Sequence, residues 1–211
     1  AGTESCMRKA ISYCAIRASV SGSPRRACAR AFIRTTASSI CRRDSRARSY
    51  EGLPLLEPIE RGEIPERIDA PYEGFVIECD LRAGQKTGEF LDQRQNRKRV
   101  AEESRGRRVL DLFCYSGLFS LHCAAAGAAA VTGIDRSPPA IERARRNVAR
   151  NAPARPVEFR VAEVEEAMEG FERAGERFDM IILDPPALVK ARKSLAEGAR
   201  KYVALNSSAL R

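Results

Sequence analysis

The sequence predicts an α/β fold in which a parallel sheet is flanked by helices. Four short apolar runs recur, at residues 108–113 (RVLDLF), 130–135 (AVTGID), 157–161 (VEFRV) and 178–183 (FDMIIL). Each is followed by a stretch that can form a helix. Acidic residues sit in or just after these runs. Serial β-α units favour parallel strands, and parallel sheets of this kind bind ligands at the carboxyl ends of their strands.

The first quarter of the chain has a different texture. Of 37 Lys+Arg and 28 Asp+Glu in 211 residues, formal net charge +9, residues 1–49 hold 11 and 2. All of the excess positive charge therefore lies there, and residues 50–211 balance at 26 of each sign. The stretch 21–30 (SGSPRRACAR) offers nothing from which to build a core. Residues 1–50 are expected to be a basic segment of low order. A polyanion-holding arm, a transit-like leader, and sequence foreign to the fold remain open as readings of it.

Residues 51–104 are expected to form a linker, a hairpin and a helix. Residues 53–66 (LPLLEPIERGEIPE) are punctuated by proline and read as extended. Residues 75–81 (FVIECDL) read as a strand, 82–85 as a turn, and 86–91 (KTGEFL) as its antiparallel return. Residues 93–104 (QRQNRKRVAEES) read as a polar helix.

Residues 105–211 are expected to form the sheet domain. After 108–113, a helix starts at Ser116 and Gly127 can end it. Ser137 precedes Pro138 and Pro139, which fit a first helical turn, and Ile141, Ala144 and Val148 share a face. Val164, Ala167, Met168 and Phe171 are spaced as another helix face. Ser194-x-x-Glu197 reads as a capping box opening a last helix, with Leu195, Ala199, Tyr202 and Leu205 on one side.

Several classes are excluded or disfavoured. No apolar run reaches the ~18 residues that cross a bilayer. The seven cysteines show no C-x-x-C spacing, which disfavours a zinc module or disulfide scaffold and points to a reducing, cytoplasmic setting without a metal. His122, the only histidine, lies in an Ala-rich helical run and reads as structural.

The strand ends carry the chemistry. The turn after the first run, residues 111–117 (DLFCYSG), has one glycine, Gly117, where a pyrophosphate site needs G-x-G-x-x-G. That suits a nucleoside without phosphates and sets back a hydride-transferring dehydrogenase. Asp135 ends the second run, where a carboxylate can accept from both ribose hydroxyls. Glu163 follows the third, within reach of an adenine edge. Taken singly, each acid is as readily a turn residue or helix cap; in register on successive strands they point to one ligand. Asp184-Pro185-Pro186 closes the fourth run. Two prolines there force a rigid extended exit, which holds the Asp184 carboxylate over the middle of the sheet.

Lys86-Thr87-Gly88, Leu91-Asp92-Gln93-Arg94, Asp111-x-Phe113-x-Tyr115-Ser116-Gly117, Asp135 and Asp184-Pro185-Pro186 together resemble the class I S-adenosylmethionine-dependent RNA methyltransferases. Among these the resemblance is to the large-subunit ribosomal RNA cytosine-C5 methyltransferase I family, over about residues 51–211. It implies a Rossmann-like sheet, S-adenosyl-L-methionine as cofactor and RNA as partner. Asp111, Phe113, Tyr115, Ser116, Gly117, Asp135 and Glu163 would line the cofactor pocket. Lys86, Gln93 and Arg94 would lie against its methionyl end, and Asp184, with Pro185 and Pro186, would face the target base. The family's chemistry uses a cysteine thiolate that adds to cytosine C6. No cysteine matches that position, so the nucleophile and the last strands of the sheet are expected beyond Arg211, and the 211 residues alone are expected to be inactive. A guanine-N7 relative and a non-catalytic cofactor- or RNA-binding module are the alternatives. Ala187-Leu188 stands where relatives commonly carry an aromatic residue, which argues against adenine-N6 chemistry. Of two basic stretches, Arg94, Arg97, Lys98 and Arg99 read as a solvated helix face, and Lys190, Arg192 and Lys193 as an RNA contact.

Overall fold

The computed structural model describes residues 29–33, 38–42, 54–57, 59–62, 64–82, 88–188 and 195–210. The chain divides into two compact units, Ala1–Leu91 and Asp92–Arg211.

The first unit is antiparallel. Strands β1 (Ala29–Ile33), β2 (Ser38–Arg42) and β3 (Ile59–Arg61) form one sheet in that order. Within the expected low-order segment 1–50 the described residues are the strands β1 and β2, and β3 lies within the 53–66 stretch that reads as extended. Runs of three to five residues are too short to show a period, and β2 pairs with β3 across a long intervening segment.

Strands β4 (Ile68–Tyr72) and β5 (Phe75–Cys79) form a hairpin in register Tyr72↔Phe75. The partner of β5 thus precedes it, whereas the sequence suggested a return over 86–91. Glu73 and Gly74 make the two-residue turn with φ 52° and 88°. Left-handed backbone at both positions matches the right-handed twist of the strands. Pro71 hides β4 from a propensity reading, because proline cannot donate to a ladder.

The second unit contains the predicted α/β domain. Helix α1 (Arg94–Glu103) precedes β6 (Arg108–Leu112), α2 (Leu118–Ala126), β7 (Ala130–Asp135), α3 (Pro138–Asn151), β8 (Val157–Val161), α4 (Val164–Ala174), β9 (Met180–Leu183) and α5 (Leu195–Ala209). The four strands are parallel in the order β8-β7-β6-β9. The order runs outward from β6 through β7 to β8 and then returns to the other side of β6 for β9. The two directions diverge between β6 and β9, which opens a crevice at their carboxyl ends.

Both faces of the sheet are covered. Leu110 and Leu112 of β6 pack with Ile134, Val164, Met168, Phe171 and Leu205. Val109 packs on the opposite face with Cys123, Ala124, Val131 and Ile182. Alternation along β6 therefore sends Asp111 to the face carrying α2. The helix ends follow local rules: Ser137 accepts from the Ala140 N–H at 3.4 Å, with prolines in the first turn of α3, and Gly127 closes α2 at φ 97°.

Helix α5 departs from its predicted face. Gly198 and Leu205 are buried, whereas Leu195 is 62% and Tyr202 36% exposed. Leu205, with Ala209, packs against Val164, Met168 and Phe171 of α4, and Gly198 lies two turns before Leu205 on the buried side. Ser194 of the predicted capping box lies outside the described residues, and Glu197 pairs with Lys201 at 2.7 Å. Among the described residues no helix is long and apolar enough to cross a membrane.

Candidate functional site

The site begins with the turn that joins β6 to α2. Phe113 and Tyr115 have φ of 63° and 49°, and Gly117 has 74°. Left-handed backbone costs a bulky residue about 1–3 kcal/mol and persists only where the surroundings impose it. Here they do. Cys114 N donates to the Ile134 carbonyl at 3.0 Å, and Gly117 N to the Cys114 carbonyl at 2.8 Å. A Cβ at Gly117 would stand 2.8 Å from both Ala144 Cβ and Phe159 Cζ, so α3 and β8 pack directly against the turn. Ser116 is buried, and its carbonyl accepts from Asn147 Nδ2 at 3.0 Å.

Asp135 is half-buried at the end of β7, and its carboxylate organises the neighbouring loops. Oδ2 accepts from Tyr115 N at 3.0 Å and Oδ1 from Ser137 N at 2.9 Å. Each oxygen keeps a lone pair for a further donor. The Asp135 carbonyl also accepts from Ala162 N at 3.1 Å, tying the exits of β7 and β8 together next to Glu163. Glu163 is exposed, and its side chain makes no capping bond to α4.

Asp111 is 1% exposed. Its Oδ2 accepts from Ser120 Oγ at 2.6 Å and from Ser120 N at 3.1 Å, so it braces the first turns of α2. Burial pushes its carboxyl up to about 7, the Ser120 bonds oppose the rise, and the charges of Asp184 and Asp135 add to it. Asp111 thus lies within electrostatic reach of both strand-end carboxylates.

Asp184 leaves β9 exposed to solvent, and its Oδ2 accepts from Gln93 Nε2 at 3.0 Å. Gln93 in turn accepts from Asn96 Nδ2 at 2.6 Å. The structure therefore joins Gln93 at the start of α1 to Asp184 across the β6/β9 divide. Pro185 is half-buried, Pro186 exposed, and Arg94 exposed. Lys86, Lys190, Arg192 and Lys193 lie outside the described residues. Arg97 is 2% exposed with its guanidinium 5.9 Å from the Phe119 ring centre, so it is a packed residue and not part of a solvated basic face.

Two buried polar residues escaped the sequence reading. Arg143 and Asn147 lie one turn apart on the same face of α3 as Ala140 and Ala144. Extending the helical period through the polar positions would have placed them against the turn. Arg143 donates from Nη1 to Tyr115 Oη at 3.1 Å, with its guanidinium 5.3 Å above the ring.

Cys79, Cys114 and Cys123 are not poised to react. Cys79, Cys114 and Cys123 are buried; burial raises the Cys114 thiol well above its ordinary range and the Cys123 thiol to about 12. Reactive thiols sit in the opposite kind of environment. Among the described residues no group of three or more His, Cys, Asp or Glu could hold a metal ion.

Comparison with known proteins agrees with this geometry. "Ribosomal RNA large subunit methyltransferase I" of Pseudoalteromonas atlantica is 37% identical over 170 residues, which is 80% of this chain and 43% of that protein. The protein of the same name from Photobacterium profundum is 35% identical over 171 residues, again 80% and 43%. The chain thus spans less than half the length of these curated relatives. Among solved structures, SMU.776 complexed with SAH superposes with a TM-score of 0.58 at 28% identity, covering 69% of this chain and 40% of that one. The SAM-dependent methyltransferase from Agrobacterium tumefaciens gives 0.56 at 28%, covering 61% and 43%. Residues 40–207 match the family described as S-adenosylmethionine-dependent methyltransferase. A parallel sheet of this order, with its acidic crevice and a match over most of the sequence, places the chain in the S-adenosylmethionine-dependent methyltransferase family.

Proposed function

We propose that the protein carrying this chain methylates C5 of a cytosine in large-subunit ribosomal RNA, with S-adenosylmethionine as donor. The observation that carries the reading is the convergence of Asp111, Asp135 and Asp184 on the crevice beside β6. The names of the relatives supply the RNA class, and the KTG, LDQR and DPP residues supply the choice of cytosine C5.

The residues fit the cofactor. When bound, it supplies an electrophilic methyl group on a positively charged sulfur. The Asp135 oxygens have lone pairs left after the Tyr115 and Ser137 bonds, which suits them to two ribose hydroxyls. The turn leaves no room for a side chain at Gly117, because α3 and β8 pack against it, which fixes the loop that would lie under a nucleoside. The exposed carboxylate of Asp184 sets a negative field for a cation. Glu163 stands exposed beside the β7/β8 exits, where an adenine edge would lie.

On this reading Gln93 orients Asp184, and Asp184 faces the exocyclic amine of the cytosine. The rigid Pro185-Pro186 exit keeps that carboxylate in place. C5 becomes nucleophilic once a thiolate has added to C6; the methyl then joins C5, the C5 proton leaves, and the thiolate is expelled. Buried Cys79, Cys114 and Cys123 do not fit that thiolate. The reading assigns it to the part of the relatives' length that this chain does not span, and sets the protein in the cytoplasm with its ribosomal substrate.

The test is methyl transfer from labelled S-adenosylmethionine to undermethylated large-subunit RNA by the protein containing this chain, followed by nucleoside analysis. Label in 5-methylcytidine is expected. Label in 7-methylguanosine instead would replace the base assignment, and no transfer to any RNA would remove the proposal.

A further inference from the structure

We infer that Arg143 and Asn147 of α3 are positioning residues for ribose recognition, acting as a two-pronged clamp on the left-handed turn after β6. The inference rests on the cofactor reading above and adds to it the group that holds the ribose acceptor in place.

Both side chains are buried, Arg143 at 6% and Asn147 at 0% exposure, and both spend polar atoms on the same short turn. Arg143 reaches the Tyr115 hydroxyl at 3.1 Å and lies over its ring, while Asn147 holds the Ser116 carbonyl at 3.0 Å. A buried guanidinium is costly to desolvate, and alkyl side chains would fill the face of α3 more simply. What the pair gains is a fixed conformation. Tyr115 is held at φ 49°, a backbone state a tyrosine does not choose in isolation. That state aims the Tyr115 N–H at Asp135 Oδ2, 3.0 Å away. Ser137 N holds the other oxygen at 2.9 Å, so the carboxylate is clamped from both sides. Its remaining lone pairs then face a fixed direction before any ligand arrives, which is the preorganisation that tight polar recognition needs.

The test separates this clamp from general stability and from the cofactor reading. Arg143→Met, Arg143→Lys, Tyr115→Phe and Asp135→Asn are made in the full chain. Affinity is measured calorimetrically for S-adenosylhomocysteine and for its analogue lacking both ribose hydroxyls. Hydrogen exchange of the Tyr115 amide is followed without ligand. Arg143→Met is expected to weaken S-adenosylhomocysteine by about tenfold, the worth of one lost hydrogen bond. It should leave the dideoxy analogue within about twofold and should add little on top of Asp135→Asn, because coupled residues are not additive. Arg143→Lys should restore part of the loss. If Arg143→Met perturbs folding, Tyr115→Phe removes only the hydroxyl acceptor and should shift affinity in the same direction.

Equal weakening of both ligands, or additivity with Asp135→Asn, would overturn the ribose-positioning role. A Tyr115 amide that stays as protected in Arg143→Met as in the parent would overturn the clamp itself. Deprotection of that amide in a protein that binds neither ligand would leave the clamp standing and defeat the cofactor reading instead.

Discussion

Replacing Asp111 with asparagine isolates the cost of burying a carboxyl group beneath the crevice. Asp111 is 1% exposed, and its carboxyl titrates near 7 against an ordinary 3.8, chiefly because burial disfavours the charge. The folded protein therefore binds a proton that the unfolded chain has released throughout that interval. Stability from this group is fully present below about pH 4, falls as pH rises to about 7, and is level above it. A displacement of that size corresponds to about 4 kcal/mol. Asparagine keeps a carbonyl oxygen for Ser120 and cannot ionise. Thermal melts of the parent and Asp111→Asn at pH 4.5 and pH 8 supply the comparison. The variant should gain relative to the parent between those values by about 3 kcal/mol, roughly 10 °C in melting temperature for a domain of this size. A stability difference that is the same at both pH values would refute the claim that a buried carboxylate bears this cost.

Gly133→Ala should destabilise the sheet, because its Cβ would stand 2.5 Å from Phe159 Cδ1 and 3.1 Å from Cys114 Sγ. The expected loss in urea unfolding is about 1–3 kcal/mol, and Phe159→Leu in the same chain should return part of it. Two buried cysteines should resist modification in the native state: Cys114 and Cys123 should react with a thiol reagent at pH 8 only as the chain unfolds, because burial keeps both protonated. Mass spectrometry of the labelled native chain checks this, and rapid labelling of either would show the thiols to be accessible.

The α/β domain was legible because its signals are strong and local. The runs at β6 and β9 carry apolar residues on both faces, as strands of a parallel sheet covered on both sides do, and Ser137 with Pro138 and Pro139 marks the start of α3 without reference to anything distant. The antiparallel unit was less legible, since β1, β2 and β3 are short and β4 contains Pro71. Turn chemistry was hidden where residues other than glycine adopt left-handed backbone: Glu73 in the hairpin, and Phe113 and Tyr115 in the site. Tertiary contacts impose those conformations, so no local propensity reports them. Asp135 and Asp184 stand at the ends of β7 and β9, the strand ends the sequence picked out, whereas the Gln93–Asp184 bond had no signal in the sequence. Arg143 and Asn147 did not stand out, because a helix face that buries charge breaks the apolar period by which such faces are found. The buried side of α5 diverged too: it carries Gly198 with Leu205, and a glycine does not register as part of an apolar face.

Ligand binding at Asp135 probes the core of the account without depending on the RNA substrate. In a calorimetric titration with S-adenosylhomocysteine, the chain should bind with one-to-one stoichiometry. Asp135→Ala should weaken that binding by about tenfold or more while the sheet still folds by circular dichroism, since one charged acceptor contributes about 1.5–3 kcal/mol. Undiminished binding by the folded alanine variant would contradict the assignment of this crevice as the cofactor site.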